Sequence, residues 1–175
     1  MIRASVHAMH ARSEQGDQRA AIVLVDAAAT ERVGSVLAAL VRGGDVVALV
    51  GDLGAGKTTL VTGLVAALGG GAAASPTFAL VNEYRSGRLV VWHADLYRLE
   101  RESELEEVGL DDVLGNPGGV ALVEWADRFD VMPRDHLRIE LAHGETTREL
   151  RAVGSGPRGR ELAGALVAEL LGSER

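Results

Sequence analysis

The chain has 175 residues, a length suited to one domain, and its 47% hydrophobic and 25% charged residues exclude a disordered polymer. It has no cysteine, which excludes a disulfide framework, a thiolate metal site and a cysteine nucleophile. The net charge of −7 disfavours direct, tight binding to a nucleic-acid backbone, and most of the excess lies between Leu99 and Asp112, where seven acids face one arginine.

Residues 1–19 are polar and aperiodic and read as a mobile extension to a domain spanning 20–175. Ala21 to Val25 predicts a short strand. Thr30 is a candidate N-cap for a helix to about Arg42, with Val33, Val36, Leu37 and Leu40 along one face. Val46 to Val50 is apolar throughout, as in a strand buried on both faces. Lys57 to Leu68 predicts a helix that Gly69-Gly70-Gly71 ends. Phe78 to Tyr84 and Arg88 to His93 predict two strands joined by a turn at Arg85-Ser86-Gly87. An acidic helix is expected near 101–108 and a shorter one near 110–114. Val120 to Val123 predicts another buried strand, Leu137 to Leu141 and Arg148 to Val153 a late strand pair, and Leu162, Leu166 and Leu170 the stripe of a closing helix. This alternation around a glycine-rich turn predicts an α/β, P-loop NTPase-like three-layer fold, its mixed central sheet flanked by helices. The longest apolar run, Ala20 to Val25, is far short of the ~20 residues of a membrane span, and no apolar segment follows the N-terminus. A cytoplasmic protein with no membrane partner is therefore expected.

The string Gly51-Asp52-Leu53-Gly54-Ala55-Gly56-Lys57-Thr58 fits the phosphate-binding P-loop pattern. Glycines let successive N–H groups point inward at phosphate oxygens, and the following helix presents its positive end to the same anion. Lys57 is the only lysine among 18 basic residues. It is expected to reach the β and γ phosphates, while the Thr58 hydroxyl ligates Mg²⁺. Such a site also needs an acid at the end of an apolar strand. Glu124, directly after Val120-Ala121-Leu122-Val123, and Asp95, after Leu89 to Ala94, both qualify, and Glu124 could also orient or deprotonate an attacking water. Thr77, in Ser75-Pro76-Thr77, suits either a switch-type hydroxyl or a simple turn. Asp112-Val113-Leu114-Gly115 matches a GTPase string by chance, because no guanine-reading Asn-Lys-x-Asp exists. His93 reads as a hydrogen-bonding strand-end residue rather than a metal ligand. Trp92 and Trp125 adjoin the candidate acids, with core packing the plainer role.

Four strings in this order resemble the TsaE family (also called YjeE): Gly-Asp-Leu-Gly-Ala-Gly-Lys-Thr-Thr at 51–59, Ser-Pro-Thr-Phe-x-Leu-Val-x-x-Tyr at 75–84, His-x-Asp-Leu-Tyr-Arg-Leu at 93–99 and Val-Glu-Trp at 123–125. The resemblance covers about Thr30 to Val153. It implies the ATPase component of bacterial tRNA threonylcarbamoyladenosine synthesis. ATP would be bound by Asp52, Leu53, Gly54, Ala55, Gly56, Lys57, Thr58 and Thr59 with Thr77, Asp95 and Arg148, and Mg²⁺ by Thr58 and Glu124. Lys57, Asp95 and Glu124 would carry hydrolysis. The resemblance also implies TsaD and TsaB as partners, a complex that ATP hydrolysis resets between turnovers, and tRNA reached only through that complex. Hydrolysis is expected to be slow alone, since the sequence assigns no arginine finger; Arg98 is a candidate, as is a structural role for it. A P-loop small-molecule kinase and an ATP-gated binding module that needs no hydrolysis are the alternatives.

Overall fold

The computed structural model describes residues 6–9, 21–71, 73–76, 80–107, 109–144 and 146–172. An eight-stranded sheet is ordered β1-β2-β8-β7-β3-β6-β5-β4, from β1 (Val6–Met9), β2 (Ala21–Leu24), β3 (Val46–Val50), β4 (Val81–Ser86), β5 (Leu89–Asp95), β6 (Gly119–Glu124), β7 (His136–His143) and β8 (Arg148–Ser155). The helices are α1 (Ala27–Leu40), α2 (Lys57–Ala67), the short α3 (Glu104–Glu107) and α4 (Leu110–Val113), and α5 (Gly156–Gly172). Strands β7, β3, β6 and β5 run parallel, and the remaining neighbours pair antiparallel, so the sheet is mixed as the sequence predicts.

The apolar strands β3 and β6 bury both faces. Val47, Leu49, Val120 and Leu122 pack into a core with α1, α2 and α5. Ala48 and Val123 face a second core with Ala94, Leu96, Leu99, Leu105 and Leu110. Each fully buried aliphatic side chain contributes about 1.5–3 kcal/mol. On β7 the alternation is half-sided. Leu137, Ile139 and Leu141 enter the first core, whereas Arg138 and Glu140 pair at 2.8 Å between half-exposed side chains. The second core therefore covers only the side of the sheet from β3 to β4. Helices α1 and α2 meet at backbone distance, since a Cβ on Gly34 would lie 2.0 Å from the Leu60 carbonyl oxygen.

Several boundaries differ from those predicted. Helix α1 is capped by Asp26, whose carboxylate accepts the Ala29 N–H at 2.7 Å, and not by Thr30. The first turn, Ala27 to Ala29, is too uniformly small to show periodicity, which hides its start in the sequence. Strand β4 takes in Arg85 and Ser86, with the turn falling at Gly87, because its pairing with β5 continues from Val81↔Ala94 to Ser86↔Leu89. Within the segment read as a mobile extension, Val6–Met9 forms edge strand β1 through backbone pairing with β2. A four-residue strand at an edge needs no apolar alternation longer than itself, so local pattern does not announce it. Among the described residues no helix is long and apolar enough to cross a membrane.

Candidate active site at the carboxyl ends of the parallel strands

Parallel strands direct their carboxyl ends to one edge of a sheet, where open α/β folds place their ligands. Gly51 follows β3, Asp95 ends β5, Glu124 ends β6 and His143 ends β7. Strand β8 is antiparallel, so its first residue, Arg148, arrives at the same edge, paired with Leu24 and His143. A cleft of about 360 Å³ opens there, lined among others by Lys57, Thr58, Ser75, Asp95, Arg98 and Glu124.

The loop between β3 and α2 curls as the glycines allow. Gly56 adopts φ +109°, a conformation that side-chain-bearing residues rarely take, and a Cβ there would meet Thr30 Cγ2 and Arg148 Cδ at 3.2 and 3.3 Å. Thr30 and Arg148 thus form the wall behind the loop. Lys57 is 4% exposed and turned back on its own loop, donating to the carbonyls of Gly51 at 2.5 Å and Asp52 at 3.0 Å. Its ammonium also stands 4.1 Å from the centroid of the Trp125 ring, a cation–π contact. Burial pulls the Lys57 ammonium below the usual lysine range, with Glu124 and then Asp95 opposing that shift. Trp125 itself takes φ +56°, strained for a side chain of that size. Tyr97 stacks on it obliquely at 4.9 Å between centroids.

The Thr58 hydroxyl donates to Glu124 Oε1 at 2.7 Å, and His93 Nε2 lies 2.8 Å from the same oxygen. Asp95 is held from both sides, by the Ser75 hydroxyl on Oδ2 at 3.0 Å and the Tyr97 N–H on Oδ1 at 3.0 Å. Lys57, Thr58, Asp95 and Glu124 therefore meet at one cleft. Asp52 to Thr59 form its loop and helix start, and Arg148 stands behind Gly56. Thr77 lies outside the described residues. Two contributors escape sequence reading. Ser75 shows no sign that it orients Asp95. His143 Nε2 lies 3.2 Å from the Leu53 carbonyl oxygen, bracing the loop from a strand 90 residues away.

Hard oxygens from Thr58 and Glu124, side by side, fit a Mg²⁺ ion. Among the described residues no group of three His, Cys, Asp or Glu side chains could hold an ion alone. That incomplete donor set matches the habit of Mg²⁺, which takes one or two protein ligands and completes its shell with phosphate oxygens and water.

Comparison with known proteins places the chain among named relatives. Residues 24–150 match the family model described as threonylcarbamoyl adenosine biosynthesis protein TsaE. Among curated proteins, the tRNA threonylcarbamoyladenosine biosynthesis protein TsaE of a Nostoc species is 41% identical over 133 residues, covering 74% of this chain and 82% of the relative. The Bacillus subtilis protein of the same name is 40% identical over 132 residues, again 74% and 82%. That of Streptomyces coelicolor is 40% identical over 148 residues, covering 80% of this chain and 98% of the relative. The crystal structure of Bacillus subtilis YdiB superposes with a TM-score of 0.71 at 30% identity, covering 95% of this chain and 99% of that one.

Proposed function

This chain belongs to the TsaE family of threonylcarbamoyl adenosine biosynthesis, and we propose that it is the ATP-hydrolysing component of that machinery, slow alone and coupled to TsaD and TsaB. In this reading its hydrolysis resets the TsaD–TsaB complex between turnovers in the cytoplasm, and it meets tRNA only through that complex. The observation that carries the reading is the meeting of Lys57, the Thr58–Glu124 pair and Asp95 at the mouth of a P-loop.

The residues divide the work by their chemistry. The loop N–H groups from Asp52 to Thr59 and the start of α2 would hold the phosphates. Lys57 exchanges two carbonyl acceptors and the Trp125 face for phosphate oxygens, whose charge restores the ammonium that burial disfavours. Thr58 and Glu124 would hold Mg²⁺, which when bound neutralises charge on the phosphate oxygens. Asp95, fixed by Ser75 and Tyr97, presents an oriented carboxylate to an attacking water. Thr77 would contribute from the segment that follows Pro76, and Arg148 lends positive charge from behind Gly56. Arg98 is exposed and lines the cleft; the slow basal rate belongs to the reading in which it does not reach the γ-phosphate, where an arginine is worth roughly 10³–10⁵ in kcat.

Glu124→Gln tests the assignment. Turnover should fall by roughly 10²-fold or more, for the loss of a charge on the Mg²⁺, while nucleotide binding without metal, measured for adenine against guanine nucleotides, persists and favours adenine. Absence of ATP binding by the wild-type chain would contradict the reading. A Glu124→Gln chain that loses turnover yet still supports tRNA modification would favour the ATP-gated module instead.

A further inference from the structure

We infer that His93 is a positioning residue, holding the Glu124 carboxylate through Nε2–H so that Glu124 keeps its place when Thr58 turns away from it; this rests on the reading of the cleft as a Mg²⁺-nucleotide site. His93 lies in β5, beside Leu122 of β6 in the parallel register, which brings its ring next to Glu124 two residues further along. The ring is fully buried, Glu124 is 3% exposed, and Nε2 approaches Oε1 at 2.8 Å.

The hydrogen-bond inventory fixes the ring's role. A carboxylate oxygen only accepts, so Nε2 carries the hydrogen. Among the described residues Nδ1 has no partner, which leaves it the lone-pair side of the ring. Orphaned buried N–H groups are rarer in folded proteins than under-satisfied acceptors, which favours the same tautomer. Tyr84 packs beside the ring, with 6.4 Å between centroids. Glu124 Oε1 thus has two donors, and they differ in kind. The Thr58 hydroxyl is a free rotor that a bound ion would draw away. The His93 N–H belongs to a fully buried ring on a strand and has no other acceptor among the described residues. A ligating carboxylate supported by such a neighbour characteristically loses 10–100-fold in metal affinity or activity when the neighbour is removed.

Three variants of the full chain test this. His93→Phe keeps a ring without a donor, His93→Asn places its amide too short, and His93→Gln carries an amide nitrogen to the Nε2 position. The readouts are the Mg²⁺ concentration needed for half-maximal binding of a non-hydrolysable ATP analogue, the affinity for ADP without metal, and kcat against KM. Phe and Asn should raise the Mg²⁺ half-point about tenfold or more and lower kcat with it, leaving metal-free ADP affinity unchanged, and Gln should return the half-point to within roughly threefold of wild type. A folded His93→Phe with the wild-type half-point overturns the inference, as does a His93→Gln impaired as badly as the other two. If Phe and Asn do not fold, Gln decides alone on the same limit. Nitrogen-15 correlation spectra of the wild-type chain give an independent check, since an Nδ1–H tautomer would also overturn it. A wild-type chain without Mg²⁺-dependent nucleotide binding defeats the proposed function itself, and this inference with it. Wild-type binding with indifferent variants defeats the role of His93 alone.

Discussion

The two ends of the sheet treat buried charge in opposite ways. At the amino end of β3, Arg158 forks onto Asp45 with contacts of 2.9 and 2.7 Å and gives a further hydrogen bond to the Leu40 carbonyl at 2.9 Å. Asp45 also accepts the Arg42 N–H, and Asp135 accepts the N–H groups of Gly159 and Arg158 at the start of α5. These hydrogen bonds to Asp45 hold the Arg158 guanidinium well above its ordinary range. At the carboxyl end, Lys57 has only carbonyls of its own loop and an indole face, and the buried His93 Nδ1 and Arg148 Nε lack hydrogen-bond partners among the described residues. Polar groups at one end are consumed by the fold. At the other end Thr58, Glu124 and Asp95 hold one another or their neighbours, while His93 Nδ1 and Arg148 Nε stay unpartnered among the described residues, the opening that the proposed nucleotide site would use.

Substitutions should separate the two ends. Arg158→Ala strands Asp45 and should cost about 3–5 kcal/mol of stability, measured by urea unfolding, while nucleotide affinity of the folded fraction is unchanged. Lys57→Met should do the reverse. Its ATP affinity should fall roughly 10–100-fold by calorimetry, for the loss of a charged hydrogen-bond donor, and its melting temperature should hold or rise because a desolvated ammonium is gone. A large fall in melting temperature for Lys57→Met would break the comparison. Gly34→Ala, forcing a Cβ against the Leu60 carbonyl, should cost about 1–3 kcal/mol in the seam that supports α2.

The smallest effect concerns acid. The N–H groups of Gly159 and then Arg158 lower the Asp135 carboxyl below its ordinary value of 3.8. A depressed folded value means that this contribution is fully present above the unfolded value and is lost as pH falls through the folded one. The melting temperature of Asp135→Asn should therefore converge on that of wild type only in strong acid, below about pH 4. A difference unchanged down to pH 2 would show that the carboxylate charge has no part in capping α5.

What the sequence discloses follows from the range of each signal. The P-loop string is legible because it is written in eight consecutive residues, with the sole lysine at the required place. Glu124 and Asp95 are legible because an apolar strand running into an acid is also a local pattern. The supporting contacts depend on register between distant segments. His93 meets Glu124 only once β5 lies beside β6, and Ser75 meets Asp95 and Arg148 backs Gly56 only once the tertiary fold brings distant segments together, which no local pattern encodes. The Asp26 cap was hidden for a different reason, since an all-alanine first turn carries no period. Thr77 lies outside the described residues.

The central claim, a slow ATPase answering to a protein complex, is tested most directly by ATP hydrolysis of the purified chain with and without TsaB and TsaD from the same source. Weak hydrolysis alone, stimulated by the pair and abolished in Glu124→Gln under both conditions, is the result predicted. Fast hydrolysis alone, indifferent to the pair, would contradict the account and direct the search to a small-molecule phosphate acceptor.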